Sequence, residues 1–448
     1  MLKAGFAKVC ISPPIGVPLA GFAARPEVST GTHDDLFARA IVLETADSAV
    51  VFVSVDLLAL PGDFIAQVRQ SIHESTGIQP HSIMIASTHT HAGPVTITTF
   101  FNPDGGADKH YMKMLSMGIE EAVNNAWRHR APAKVGVGIG RVEGVGVNRR
   151  SEDQKPIDEQ IGILRVADSN DKTRAVLINY ACHPTVLGPD NLLVTGDFPA
   201  FAVQALEDSI GPHGFAMFVN GTQGNISMGH SSELSAIGVI TPGRTFERAA
   251  ELGQLLADAT IKQLDSIAVD DRPTIEAITL SVSLPLKQYP SESETTRSLQ
   301  DAEKKLASLV SNNGDNTDDQ VRRAKSEQLY ASIDNFYARE TAVFADGFLP
   351  IELQGIRIND AVFVAIPAEV FVEIGLHLKQ TASHKIFIVG IANGYIGYLP
   401  TKVAYDVGGY EVVSSKCRPE AEATLVEQVL LLEQKLFQES SIKVERVQ

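Results

Sequence analysis

The chain has 448 residues, 44% of them hydrophobic, which is enough apolar mass for a large core and too much chain for one minimal domain. A formal net charge of -16 excludes the basic footprint that a nucleic acid or an anionic membrane surface requires, so a neutral or cationic small molecule is the expected partner. The cysteines Cys10, Cys182 and Cys417 form neither an even set nor a CxxC pair, which excludes a disulfide framework and a thiolate zinc site and reads as free thiols in a reducing compartment.

Met1 to Lys8 leads straight into Ile11-Ser-Pro-Pro-Ile-Gly16 without the apolar region and small-residue cleavage site of a secretory leader, so a cytoplasmic location is expected. Apolar, β-branched runs predict strands at 49–58 and 82–86, with helices at 63–76 and 108–129. Gly136-Val-Gly-Ile-Gly-Arg141 lacks the full dinucleotide fingerprint and reads as a glycine-bearing strand. Further strands are expected at 161–166, 175–180, 215–219, 361–366 and 385–391, and helices at 198–208, 245–264, 370–382 and 419–437. Residues 291–340 are rich in Glu, Asp, Lys, Ser and Gln and break at Asn312-Asn-Gly-Asp-Asn-Thr317, which predicts a helical hairpin with a solvated face. The hairpin is either a lid or, the preferred reading, a plain insertion in a single domain spanning 1–448. No repeat period is visible, and no apolar run approaches the roughly 20 residues that span a bilayer. The alternation predicts an α/β fold with a mixed, largely parallel sheet flanked by helices.

Open α/β sheets bind ligands where strands end, so polar residues directly after apolar runs carry the search for chemistry. In Ser82-Ile-Met-Ile-Ala-Ser-Thr-His-Thr-His-Ala-Gly-Pro94, His89 and His91 share one face of an extended chain and can enter one cavity, one on a metal and the other handling protons. A hydrogen-bonded structural pair fits that segment equally. His183 follows Val176-Leu-Ile-Asn-Tyr-Ala-Cys, where a lone histidine is more often structural than a ligand. A hydrolytic zinc site also needs a carboxylate in many of its forms, and Glu369, just past Ala361-Val-Phe-Val-Ala-Ile-Pro-Ala, is the best candidate. A glutamate favoured by a helix dipole is the other account of that position. The glycine-rich endings Phe218 to Gly229, Gly146 to Arg150 and Gly390 to Pro400 are ordinary loops taken singly, although small residues around Ser227 would admit a substrate closely. Neither a Gly-x-Ser-x-Gly elbow nor an HExxH pair is present, which removes the serine-hydrolase and common metallopeptidase readings.

Together and in this order, the segments resemble the N-terminal catalytic domain of neutral, non-lysosomal ceramidases. Thr88-His-Thr-His-Ala-Gly-Pro94 is similar to the family's His-Thr-His-Ser-Gly-Pro motif. Asn148-Arg149, His183-Pro184, Gly224-Asn-Ile-Ser227, Pro367-Ala-Glu369 and Asn393-Gly-Tyr-Ile-Gly-Tyr398 then follow in register. The resemblance implies one zinc ion per chain on His89, His183, Glu369 and Tyr398, the last being the second tyrosine of the family's Asn-x-Tyr-x-x-Tyr pattern. It also implies catalytic roles for His91, Arg149, Ser227 and Tyr410, with Ser227 orienting the substrate's polar head. The implied activity is hydrolysis of a linear amide in an N-acylated, ceramide-like substrate of sphingolipid metabolism by metal-activated water. A zinc esterase, lactonase, phosphoesterase or cyclic amide hydrolase on the same scaffold is the alternative, and a non-catalytic metal-binding protein is the other class.

The sequence departs from the family in two ways. Typical members are secreted and carry a C-terminal β-sandwich, whereas a short form without it is expected here. Met228 stands where the family has proline, and Ser414-Ser-Lys-Cys-Arg418 replaces its small-residue loop, so substrate choice is expected to differ. No pattern in the sequence sets the oligomeric state.

Overall fold

The computed structural model describes residues 1–25, 27–103, 106–311 and 318–445. Three sheets follow one plan. In the first, β1 (Lys3–Cys10), β2 (Phe37–Glu44) and β3 (Ala49–Val55) run antiparallel in turn, and α1 (Gly62–Thr76) crosses to β4 (Ile83–Ser87), parallel to β3. After α2 (Lys109–Arg128) the second sheet repeats the order: β5 (Lys134–Arg141), β6 (Gln160–Ala167) and β7 (Thr173–Tyr180) antiparallel, then α3 (Asp197–Ile210) and β8 (Phe215–Asn220), parallel to β7. α4 (Phe246–Leu264) leads to the third sheet, which opens with β9 (Ile275–Pro285). The chain detours through α5 (Glu292–Ser311) and α6 (Asp319–Thr341) before β10 (Phe348–Ile358) and β11 (Ala361–Ile366). α7 (Val372–Thr381) then crosses to β12 (Lys385–Gly390), parallel to β11, and α8 (Ala421–Glu445) follows.

The mixed α/β class is as expected, but each large sheet holds a single parallel pair, so the system is less parallel than the sequence suggested. The links from β2 to β3, β6 to β7 and β10 to β11 are hairpins, too short for the crossover that parallel pairing requires. The threefold repetition is likewise one of topology, with no repeat visible in the residues. The expected turn at Asn312–Thr317 lies outside the described residues, while the helices on either side of it pack together through a Lys305–Glu327 ion pair and an Asn335 Nδ2 to Thr296 Oγ1 bond of 2.9 Å.

The inner faces of all three sheets meet in one central core. Phe52 of the first sheet meets Phe363 of the third edge-on at 5.3 Å, and Phe6 of the first lies 5.3 Å from Phe215 of the second. Each outer face is covered by its own helices: α1 and α2 on the first, α3 and α4 on the second, α7 and α8 on the third. Fully burying a side chain such as Phe363 or Leu256 stabilises the fold by roughly 1.5–3 kcal/mol. Two polar ties cross between sheets at the strand ends: Ser54 Oγ donates to the Phe218 carbonyl at 2.5 Å and Asn179 Nδ2 to that of Ile388 at 2.9 Å. The glycines of β5 have a steric reason, since a Cβ on Gly136 would sit 1.9 Å from the Ala268 carbonyl oxygen and one on Gly138 2.4 Å from Ile267. No described helix is long and apolar enough to cross a membrane. Cys10 is exposed, Cys182 and Cys417 are buried, and all three are free thiols.

Candidate metal centre and active site

One donor comes from each sheet. His89 lies two residues beyond β4, His183 three beyond β7 and Glu369 three beyond β11. Tyr398 joins them through a short parallel ladder, Glu369–Val370 with Tyr398–Leu399, in which Glu369 and Tyr398 are register partners. Backbone bonds knit the loops together: Ser87 N to Ile391 O at 3.1 Å, Ile391 N to Ala368 O at 3.2 Å and His183 N to Ile226 O at 2.9 Å. His89 holds a left-handed φ of 72°, a conformation uncommon outside glycine that persists where surrounding structure enforces it.

The hydrogen bonds fix the chemistry of the imidazoles. His89 Nδ1 lies 2.8 Å from the Leu58 carbonyl, and His183 Nδ1 lies 2.7 Å from that of Gln223 and 3.0 Å from that of Ile226. A carbonyl only accepts, so both Nδ1 atoms carry the proton and both Nε2 atoms present a lone pair. These lone pairs face a carboxylate: Glu369 Oε2 is 2.8 Å from His183 Nε2 and 3.4 Å from His89 Nε2. Glu369 is turned that way by Tyr395, whose hydroxyl donates to the other oxygen at 2.6 Å. Converging lone pairs repel unless a cation or proton lies between them, and separations of 2.8–3.4 Å bracket the roughly 3.3 Å edge of a tetrahedron with about 2.0–2.1 Å bonds. The donor set therefore fits a divalent metal of zinc type.

Burial and the neighbouring Arg149 hold the His183 imidazole down near 4, which keeps it neutral at physiological pH. Burial alone would raise the Glu369 carboxyl, but positive charge shared with the facing His89 and His183 outweighs it and holds the group well below its ordinary range. Burial, and then Glu369, push the Tyr398 phenol well above its usual value in the metal-free arrangement. Arg149 Nη2 donates to the Tyr398 hydroxyl at 3.1 Å, a contact that would strengthen with a phenolate.

The three ring nitrogens of His89, His91 and His183 lie within 4.8 Å of one another. His91 differs in anchoring: its Nε2 is 3.4 Å from His89 Nε2, and its buried Nδ1 has no hydrogen-bond partner. Metal-bound histidines nearly always donate their second nitrogen, so His91 suits proton transfer better than ligation.

Among the sequence-derived catalytic residues, His91, Arg149 and Tyr410 share a small cleft with Tyr398, and Tyr410 meets the Tyr398 ring edge-on at 6.1 Å. Ser227 is not brought there: it pairs with Val147 and its Oγ donates to the His230 carbonyl at 3.2 Å. A cavity of about 340 Å³ opens over His89, Glu369, Tyr395 and Tyr398, walled on its far side by Phe336, Tyr337 and Glu340 of α6.

Residues 4–232 match the family model described as neutral/alkaline non-lysosomal ceramidase, N-terminal. The chain belongs to this family. Neutral ceramidase 2 of Arabidopsis thaliana is 25% identical over a stretch covering 48% of the chain and 30% of that protein. Neutral ceramidase B of Dictyostelium discoideum is 21% identical across 90% of the chain and 68% of its own length, and neutral ceramidase of Mycobacterium tuberculosis 23% identical across 88% and 70%. The chain thus spans under a third of the plant relative and about two thirds of the others. The crystal structure of neutral ceramidase from Pseudomonas aeruginosa shares the fold, with a TM-score of 0.72, 19% identity and coverage of 97% of this chain and 75% of that one.

Sequence reasoning missed several groups around this ceramidase-family site. Glu411 bridges Arg149 and Arg150 at 2.9 and 2.7 Å, and Arg25 donates to the His91 carbonyl at 2.9 Å. Tyr395 had a signal, as the first tyrosine of the Asn-x-Tyr-x-x-Tyr motif. Leu58 and Gln223 serve through backbone carbonyls, which no side-chain pattern reveals.

Proposed function

We propose that the chain is a zinc-dependent hydrolase that cleaves a linear amide in an N-acylated amine of ceramide type. The observation that carries the reading is the pair of Nε2 lone pairs, fixed by carbonyls at Nδ1, converging on Glu369. His89, His183, Glu369 and Tyr398 would hold the ion, which when bound supplies Lewis acidity and a water activated near neutral pH. His91 takes the proton of the attacking water and delivers it to the leaving nitrogen, which departs only when protonated. Arg149 and Tyr410 donate to the negative charge developing on the carbonyl oxygen. Phe336, Tyr337, Tyr395 and Tyr398 line the cavity over the site, and the low-dielectric surface of their rings strengthens these interactions. Ser227, with its hydroxyl on the His230 carbonyl, holds the loop beside Arg149 and takes no part in bond cleavage.

Metal analysis by mass spectrometry on wild type and His183→Ala, with turnover of a panel of N-acyl amides, tests the proposal. The expected result is one zinc per wild-type chain, lost in the variant together with amide hydrolysis. A folded wild type that takes up no zinc when supplied, or a zinc-loaded one inert toward every amide, would sink the reading.

A further inference from the structure

The far wall of the cavity carries a lysine and a glutamate where a hydrocarbon chain would want apolar surface. Lys416 Nζ lies 2.6 Å from Glu340 Oε2 and sits 5.2 Å from the centre of the Tyr337 ring. Both residues line the same cavity as His89, Glu369 and Tyr398. The two partners are unequal: the Lys416 side chain is 16% exposed and that of Glu340 is 35% exposed. The lysine backbone is fixed as well, its carbonyl accepting from Lys287 N at 2.8 Å.

We infer that Lys416 is a specificity-determining residue, and that the preferred substrate is a compact N-acyl amide bearing a carboxylate, which displaces Glu340 from the lysine on binding. The inference rests on the amide-hydrolase part of the reading above and puts a smaller, charged N-acyl amide in place of the ceramide-type substrate. An enclosed ammonium needs an anionic partner, because stripping its water without replacing it is costly. Glu340, at the more open side, can turn to solvent when a ligand carboxylate takes its place, whereas Lys416 is held under Tyr337. An alkyl chain laid on this wall would desolvate both charges and return no hydrogen bond. Size points the same way: about 340 Å³ lies at the lower end of the range for small-molecule pockets, which favours a compact ligand.

The test uses zinc-loaded full-length protein and size-matched pairs: hexanoylglycine and N-propylsuccinamic acid, each against the carboxamide that lacks the charge. In wild type, kcat/KM for at least one carboxylate should exceed that for its carboxamide by tenfold or more. Lys416→Met should erase the ratio through KM, Lys416→Arg should restore it, and Glu340→Gln should lower KM for the carboxylate by removing the internal competitor. Wild type that prefers the carboxamides or a long-chain ceramide, or an undiminished ratio in Lys416→Met, overturns the inference. Calorimetric binding of the carboxylates to wild type and Lys416→Met separates the two readings. If no amide is cleaved, the hydrolase proposal fails, while a tenfold loss of affinity in the variant still supports the Lys416 site and equal affinity overturns it.

Discussion

Glu411→Gln replaces one oxygen by nitrogen and removes the charge on which two arginines depend. Glu411 is 2% exposed and accepts from Arg149 Nε at 2.9 Å, Arg150 Nη1 at 2.7 Å and Ser232 Oγ at 2.6 Å. Breaking a buried pair by neutralising one partner costs about 3–5 kcal/mol, because the other charge remains buried and the new amide turns a donor toward a donor. Unfolding entropy of about 2.1 cal/mol/K per residue over 448 residues converts this to a fall in Tm of roughly 3–5 °C if the chain unfolds as one unit. The variant should also lose activity, since the guanidinium aimed by Glu411 at the Tyr398 hydroxyl is displaced; about a hundredfold fall in kcat/KM is expected. The pH dependence has a sign. Burial pushes the Glu411 carboxyl up, but Arg149, Ser232 and Arg150 more than offset this and hold it below its ordinary range. Its stabilisation is therefore complete above the unfolded carboxylate pKa and lost as pH falls through the folded one, so wild type and variant should converge in Tm on acidification. Calorimetry from pH 7 downward with parallel amide kinetics measures both effects. A Glu411→Gln protein within about 1 °C and twofold of wild type at pH 7 would refute the reasoning.

Three further outcomes follow from other sites. His91→Ala should lower amide cleavage by about 10²–10⁴-fold and cleavage of an ester of the same acyl group distinctly less, because the ester loses only the base for the attacking water while its alkoxide leaves without prior protonation; equal losses would remove His91 from leaving-group protonation. Burial raises the Asp197 carboxyl to about 6 against the pull of the Phe198, Leu187 and Val186 amides, so the folded protein binds that proton more tightly and stability falls as pH rises from about 4 to 6. Asn tolerates the same left-handed backbone, and Asp197→Asn should flatten Tm against pH across that window, a slope worth roughly 3 kcal/mol. Gly136→Ala forces a methyl within 1.9 Å of the Ala268 oxygen and should destabilise the protein by about 1–3 kcal/mol in urea unfolding, whereas Gly16→Ala, open on all sides but at a φ of 94°, should show only its backbone strain.

What the sequence displayed was set by burial. Strands 49–58, 82–86, 175–180, 215–219, 361–366 and 385–391 are the parallel pairs of the three sheets, covered on both faces and so nearly uniformly apolar. The opening strands β1 and β9 mix buried, half-buried and exposed positions, and β2 and β10 carry Arg39, Glu352, Gln354 and Arg357, which hid them. Recognising chiefly the parallel pairs is what made the sheets look largely parallel. The same filter hid the threefold plan, because the loops that follow equivalent strands share neither length nor residues.

The site shows where such reading stops. Three residues beyond the third strand of each sheet stand Leu58, His183 and Glu369. His183 and Glu369 carry side chains whose type declares a chemistry, and the sequence marked both as candidates. Leu58 occupies the equivalent place but acts through its carbonyl, which holds the His89 Nδ1–H and so turns the Nε2 lone pair toward Glu369. Any residue supplies that carbonyl, so the role depends on the backbone path and leaves no signature in residue type. His89 itself was legible as a candidate, whereas the approach of its Nε2 to Glu369 became visible only when the first and third sheets met.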